Sequence, residues 1–206
     1  MTVVRVGQPA APKRESLLRR PVTLRMLLLV FLGLAVFRLW IVEMAIVYGP
    51  SMEPALLNND RLLVLKFLPV KRFAIVVLTD PEEGVAVIKR VVGMPGDVVS
   101  IEPRVTIWQG EEIEEGGQLY VNGVTYQEPY ATWVIPSSLP RTRVPQGSYF
   151  VLGDNRDRST DSRSYGPVPK EAIHGAAVAV VYPFHRIGAV RGNGKPVGPV
   201  DASMSE

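Results

Sequence analysis

The sequence predicts a mainly β fold behind a single N-terminal transmembrane helix, with a small β subdomain inserted in the main one. Three observations lead there. Residues 26–37 are apolar and uncharged and follow a basic N-terminus. From residue 61 onward, short runs rich in Val, Ile, Leu, Tyr and Phe alternate with turn residues. Asn122-Gly123 stands between two such runs, the strongest short-range hairpin signature.

The helix comes first. Apolar character continues past Arg38 and Glu43 to residue 47, so a span over 23–45 meets the requirement of about 20 residues, with Arg25 and Arg38 snorkelling and Trp40 at an interface. Arg5, Lys13, Arg14, Arg19, Arg20 and Arg25 stand against one acid, Glu15, in the first 25 positions. The positive-inside rule therefore puts residues 1–22 in the cytoplasm and 46–186 outside the cell membrane, a single-pass topology. A cleaved signal peptide is the alternative reading, but no small-x-small site follows at the expected place.

Strands are expected over 61–67, 73–78, 85–92, 98–102, 149–152 and 176–182, with a hairpin over 119–126. Together they read as an all-β barrel or sandwich. Residues 103–145, with several prolines and the acidic run Glu111, Glu112, Glu114 and Glu115, interrupt the pattern and are assigned to the inserted subdomain. Residues 187–206, rich in Gly, Pro and polar residues, are expected to be a disordered tail.

Composition narrows the chemistry. The chain has no cysteine, which removes disulfides, thiol nucleophiles and cysteine-based metal sites together. Its two histidines, His174 and His185, are eleven positions apart, the wrong spacing for a paired helical metal site. No metal and no cofactor is expected. The basic N-terminus reads as topology, so no nucleic-acid partner is expected either.

Three blocks carry the candidate chemistry. Gly49-Pro50-Ser51-Met52-Glu53-Pro54 holds a serine between prolines close behind the anchor. Such a serine is ordinarily a turn residue unless a base stands beside it. Val87-Ile88-Lys89-Arg90-Val91-Val92 sets two cations in an apolar strand, where side chains alternate faces, so at most one of Lys89 and Arg90 can face water. Burial lowers an ammonium pKa and turns a lysine into a base able to take a serine proton. The ordinary alternative is a charge on an edge strand. The third block, Gly153-Asp154-Asn155-Arg156-Asp157-Arg158-Ser159-Thr160-Asp161-Ser162-Arg163, packs acids, guanidiniums and hydroxyls into one loop, either solvated or locked as a polar network.

In this order, behind an N-terminal anchor, these blocks resemble bacterial type I signal peptidase, the serine/lysine-dyad protease family S26, over residues 20–185. The resemblance implies a signal-peptidase-like catalytic domain in which Ser51 is the nucleophile and Lys89 the general base. Ser159 would orient the amine, and Asp154, Asp161 and Arg163 would form a supporting network. Met52, Val87 and Ile88 would border the substrate groove. The implied partners are exported preproteins with signal peptides and the lipid bilayer, for an enzyme acting as a monomer. A peptidase dedicated to one secretion or pilus partner and an inactive tethered binding module remain as alternatives. The sequence departs from the family pattern at Ala55, where Thr is usual, at Gly49, which lacks a hydroxyl, and at Phe73-Ala74, which replace a Gly-Asp pair.

Overall fold

The computed structural model describes residues 22–135, 137–190 and 195–199. Residues 1–21, assigned above to the cytoplasm, and 191–194 and 200–206 of the expected tail lie outside them. The chain divides into two compact units, residues 1–37 and 38–206.

The first unit contributes most of helix α1 (Val22–Trp40). Its large apolar side chains from Leu24 to Phe37 are all exposed, Phe31 by 72%. An apolar surface on every side of a helix is uncompensated in water. Among the described residues no helix is long and apolar enough to cross a membrane.

The second unit is built from antiparallel strands. They are β1 (Val42–Ile46), β2 (Arg61–Leu65), β3 (Ile75–Thr79), β4 (Ala86–Gly93), β5 (Val98–Trp108), β6 (Glu111–Val121), β7 (Val124–Gln127), β8 (Leu139–Arg143), β9 (Ser148–Leu152), β10 (Val168–Pro169), β11 (Ile173–Tyr182), β12 (Gly188–Ala189) and β13 (Lys195–Pro199). The first sheet runs β1-β2-β11-β3-β4-β9-β10 with β12 on β11, and the second runs β13-β7-β6-β5-β8. The expected mainly β architecture is therefore two antiparallel sheets.

Alternation along β4 explains how the sheets pack. Ile88 and Val92 point to one side, Val87 and Val91 to the other. Val92 joins Val99, Ile101, Leu119, Val121, Phe150 and Leu152 in the core that unites both sheets. Met52 and Leu56, from the loop between β1 and β2, enter a second core with Leu62, Val64 and Ile75. The hairpin signature acts as expected, since Asn122 (φ 55°) and Gly123 (φ 77°) take the left-handed conformations that a two-residue β6–β7 turn demands.

Four expectations need correction. The anchor was expected to continue to residue 45, but the helix ends at Trp40 and Val42–Ile46 is strand β1, in register with β2. Glu43 is paired with Lys66 at 3.0 Å there, which explains a charge inside an apolar run. The acidic run does not interrupt the sheet. Glu111, Glu112, Glu114 and Glu115 lie in β6, opposite Trp108, Ile107, Val105 and Arg104 of β5, on an exposed two-stranded ribbon where both faces are wet. The second sheet accordingly begins at Val98, inside β5, and not at 103. The expected disordered tail carries β12, paired with β11, and β13, paired with β7, because both sheets offer an edge for it.

Candidate active site

Lys89 and Arg90 leave β4 in opposite directions, yet neither faces water. Lys89 is 4% exposed and Arg90 1%. The expectation that at most one of them faces water holds, and both are enclosed because the loop after β9 folds over this part of the strand.

Arg90 is locked from four sides. Its Nε and Nη2 each donate to a carboxylate oxygen of Asp154 at 2.7 Å. Its Nη1 donates to the Phe73 carbonyl at 2.8 Å, and its guanidinium lies 3.8 Å from the centroid of the Tyr130 ring. Such a planar fork matched to a carboxylate is the geometry in which a buried ion pair offsets its own desolvation. Phe73 presents its carbonyl from a left-handed conformation, φ 65°, which a bulky residue adopts only under constraint. The constraint is visible. Its N–H donates to the Val91 carbonyl at 2.6 Å and its ring is buried against Tyr126 and Tyr130.

Lys89 sits on the other side. Its Nζ donates to Ser159 Oγ at 3.0 Å. Burial lowers the amine's pKa below its ordinary 10.5, opposed by the charges of Asp161 and Asp80 and aided by Arg163. Ser159 is held by the loop below it. Asp161 accepts Gly153 N–H at 2.9 Å and Arg163 Nε at 2.8 Å, and Arg163 Nη2 donates to the Arg156 and Ser159 carbonyls at 2.7 and 3.2 Å.

Ser51 reaches the same place through its main chain. Asn155 N–H donates to the Ser51 carbonyl at 3.0 Å. A Cβ on Gly153 would lie 2.2 Å from Ser159 Oγ and 2.7 Å from the Ser51 oxygen, so serine, serine and glycine share one tight space. Among the described residues the Ser51 hydroxyl and N–H make no hydrogen bond, and Lys89 Nζ has Ser159 as its side-chain partner.

Of the predicted site residues, Lys89, Ser159, Asp161 and Arg163 form one cluster, with the main chain of Ser51 against it. Asp154 belongs to the Arg90 side and joins them through its neighbour Gly153. Met52, 1% exposed, and Ile88 come together in one core, whereas Val87 lies on the opposite face of β4. Sequence reasoning gave no role to Glu128 or Trp133. Glu128 grips the buried Arg156 through Nη1 at 3.0 Å and Nη2 at 2.5 Å, the Trp133 ring covers its guanidinium at 4.6 Å, and Arg156 Nε donates to the Gly153 carbonyl at 2.8 Å. No local pattern announces such a contact between distant segments.

The sequence profile of the family described as "Signal peptidase, peptidase S26" matches residues 20–182. The chain belongs to that family. It is 34% identical over 165 residues to signal peptidase I of Bacillus licheniformis, covering 73% of this chain and 82% of the relative. It is 34% identical over 197 residues to signal peptidase I of Leptolyngbya laminosa, covering 88% and 89%. A crystal structure of a signal peptidase I from Enterococcus faecalis V583 aligns at 31% identity over 53% of this chain and 97% of that one, with a TM-score of 0.40.

Three outcomes follow for this member of the S26 family. Asp154→Asn leaves Arg90 charged and buried without its counter-ion and is expected to cost about 3–5 kcal/mol in chemical denaturation, whereas the double change R90M/D154L costs far less. Equal losses for the two would show that the ion pair is not what matters. Gly153→Ala forces Ser159 or the Ser51 carbonyl to move and is expected to cost about 1–3 kcal/mol, read from the same denaturation curves. Lys89→Met removes a buried amine. Because the folded pKa is depressed, the unfolded chain binds more protons between that pKa and 10.5, so native stability rises with pH through that window. K89M is therefore expected to gain most over the native chain below the amine's lowered pKa, with the gain fading as pH approaches 10.5. A gain independent of pH contradicts a Lys89 amine whose pKa is lowered by burial.

Proposed function

We propose that this chain is a serine endopeptidase that cuts N-terminal signal peptides from exported preproteins, with Ser51 as nucleophile and Lys89 as general base. The observation that carries the catalytic assignment is the state of Lys89: enclosed, depressed in pKa by burial, and hydrogen-bonded to a hydroxyl in a space bordered by the Ser51 main chain.

An uncharged amine donates one N–H to Ser159 Oγ and keeps a lone pair for a proton. As Ser51 Oγ attacks the scissile carbonyl, Lys89 takes its proton, and the Ser51 N–H, free of other partners among the described residues, donates to the developing oxyanion. Lys89 then passes the proton to the leaving amine, which departs with the mature chain. A water activated by the same lysine hydrolyses the acyl-enzyme and frees the signal peptide. Asp161 and Arg163 hold the Ser159 loop, and with it the amine, through this cycle. Asp154 does the same for the opposite side through Arg90.

Substrate enters extended. β4 pairs with β9 only from Arg90 onward, leaving residues 86–89 without a strand partner on that side among the described residues, an edge suited to strand addition directly beside Lys89. Met52 and Ile88 support the floor of this groove and Val87 flanks its other face. Residues 46–186 act as the extracytoplasmic domain, as a monomer.

The enzyme works at a membrane surface, held by α1 as a single-pass anchor with residues 1–22 in the cytoplasm. The apolar exposure of that helix supports this reading, and so does the outer face of β1, β2 and β11. There Met44 and Ile46 are exposed beside Tyr182, whose ring meets that of Phe184 edge-on at 5.7 Å and carries the Arg61 guanidinium at 4.9 Å. Aromatic, aliphatic and cationic groups on one face match a lipid headgroup layer.

Incubating the full chain in detergent with several unrelated preproteins tests the reading. S51A and K89A are each expected to reduce cleavage at least about 1000-fold while remaining folded, in line with loss of a nucleophile or its base. The rate of the native enzyme is expected to fall on acidification through the lowered pKa of Lys89, since the protonated amine cannot accept a proton. Retained cleavage by folded S51A or K89A, or a rate unchanged down to about pH 4, would refute the dyad.

A further inference from the structure

The loop that carries Ser51 is held from a place far along the chain. It leaves β1 at Val47 and rejoins the sheet at β2. Its neck is closed by Val47 N–H to the Asp60 carbonyl and Asn59 N–H to the Val47 carbonyl, both 2.9 Å, and by Gly49 N–H to Asn58 Oδ1 at 3.1 Å. Met52 and Leu56, each 1% exposed, root it in the core.

The stretch just after the neck of the proline turn has no such packing on its outer side. A cavity of about 350 Å³ lies against Ala55 and Leu56, with Arg90, His185, Arg186 and Val190 among its walls. Among the described residues no side chain fills it, so their van der Waals contact does not fix the loop there. Hydrogen bonds cross the gap instead. Arg186, in the turn after β11, donates from Nε to both carboxylate oxygens of Asp60 at 3.0 and 3.2 Å, and from Nη2 to Asp60 Oδ2 at 3.0 Å and to the Ala55 carbonyl at 3.3 Å. Asp60 is 1% exposed, and its Oδ2 also accepts Leu57 N–H at 2.9 Å. One guanidinium and one carboxylate thus tie residues 55, 57 and 60 to a C-terminal turn.

We propose that Arg186, acting through Asp60, is a positioning residue that sets the place of the Ser51 loop relative to Lys89. Arg186 lies outside the stretch matched by the family profile, which ends at residue 182. The inference rests on Ser51 being the nucleophile. Its physical content is geometric. Ser51 gains nothing in chemical reactivity from Arg186, but a loop bounded by a cavity drifts when its outer tie is cut, and misplacement of a reacting atom by about 1 Å can cost about 100-fold in rate. A lysine at 186 keeps the charge but has a single donor head, unable to bridge Asp60 and Ala55 in one plane.

The test compares the full-length native chain, R186K, R186Q and S51A in detergent. kcat and KM for a preprotein are measured separately, together with circular-dichroism melting and hydrogen exchange at the Leu57 amide. R186Q is expected to lose about 10- to 100-fold in kcat, with KM within about twofold and a cooperative melt, and R186K to recover part of the loss. The Leu57 amide is expected to exchange faster in R186Q, while core amides such as that of Ile101 keep their native protection. A folded R186Q with native kcat, a rate loss that only tracks the folded fraction, or unchanged exchange at Leu57 overturns the proposal. Should R186Q not fold, D60N/R186Q, which removes both charges together, is judged by the same criteria. Cleavage by S51A would strike the nucleophile assignment itself, and the Leu57 exchange then still decides whether the tie exists.

Discussion

The rest of the structure depends on the ion pair between Arg90 and Asp154. Both groups are withdrawn from water, 1% and 0% exposed, and two charges so placed are tolerated only with near-ideal geometry and complete hydrogen bonding. The pair has both. It fastens the loop after β9 onto β4, and because strand side chains alternate, seating Arg90 on one side also directs Lys89 to the other. Gly153, next to Asp154, is thereby brought against Ser159 and the Ser51 carbonyl. A single strand position therefore governs the placement of Lys89, its hydroxyl partner Ser159 and the loop of Ser51.

Around that pair, charges are arranged in closed couples. Arg156 is matched to Glu128, Arg163 to Asp161, and Arg186 to Asp60. Lys89 differs from them. Its nearest partner is a neutral hydroxyl, and its acidic neighbours Asp161 and Asp80 act on it through space without a hydrogen bond to it. Each of these arginines has a carboxylate in a matching fork, whereas the lysine is given burial without full compensation. That asymmetry sets Lys89 apart from its sequence neighbour Arg90. The second sheet takes part as well. Its strap holds Arg156 through Glu128 and Trp133, and the Val134 and Ile135 amides donate to Asp157 at 2.8 and 3.2 Å, so the loop after β9 is braced from the second sheet.

Much of this was legible beforehand, and the reason differs from element to element. β2, β4 and β9 could be read within a residue or two because each is a short aliphatic or aromatic run with flanking turn residues, and the β6–β7 turn because Asn-Gly has few other uses. β1 was hidden by its composition. Val42–Ile46 continues the apolarity of α1, and nothing local distinguishes the end of a helix from the start of an edge strand. The acidic stretch of β6 was hidden in the opposite way, since its residues disfavour strands locally and β5 recruits them through pairing. Ser51, Lys89, Ser159, Asp161 and Arg163 stood out through motif order. Glu128, Tyr130 and Arg186 did not, because each acts on a partner at least 28 positions away.

By itself the sequence determined the kinds of chemistry open to this protein: a hydroxyl in a rigid proline turn, a lysine in an apolar strand, no thiol, and an apolar segment behind a basic terminus. Those properties reside in residue types and short spacings, which survive without a fold. Only the tertiary structure decided that Lys89 and Arg90 are both enclosed, and that Arg186 bonds to Asp60 and to the Ala55 carbonyl in the loop of Ser51. Burial and hydrogen bonding are properties of surfaces brought together from remote parts of the chain, and no stretch of residues carries them alone.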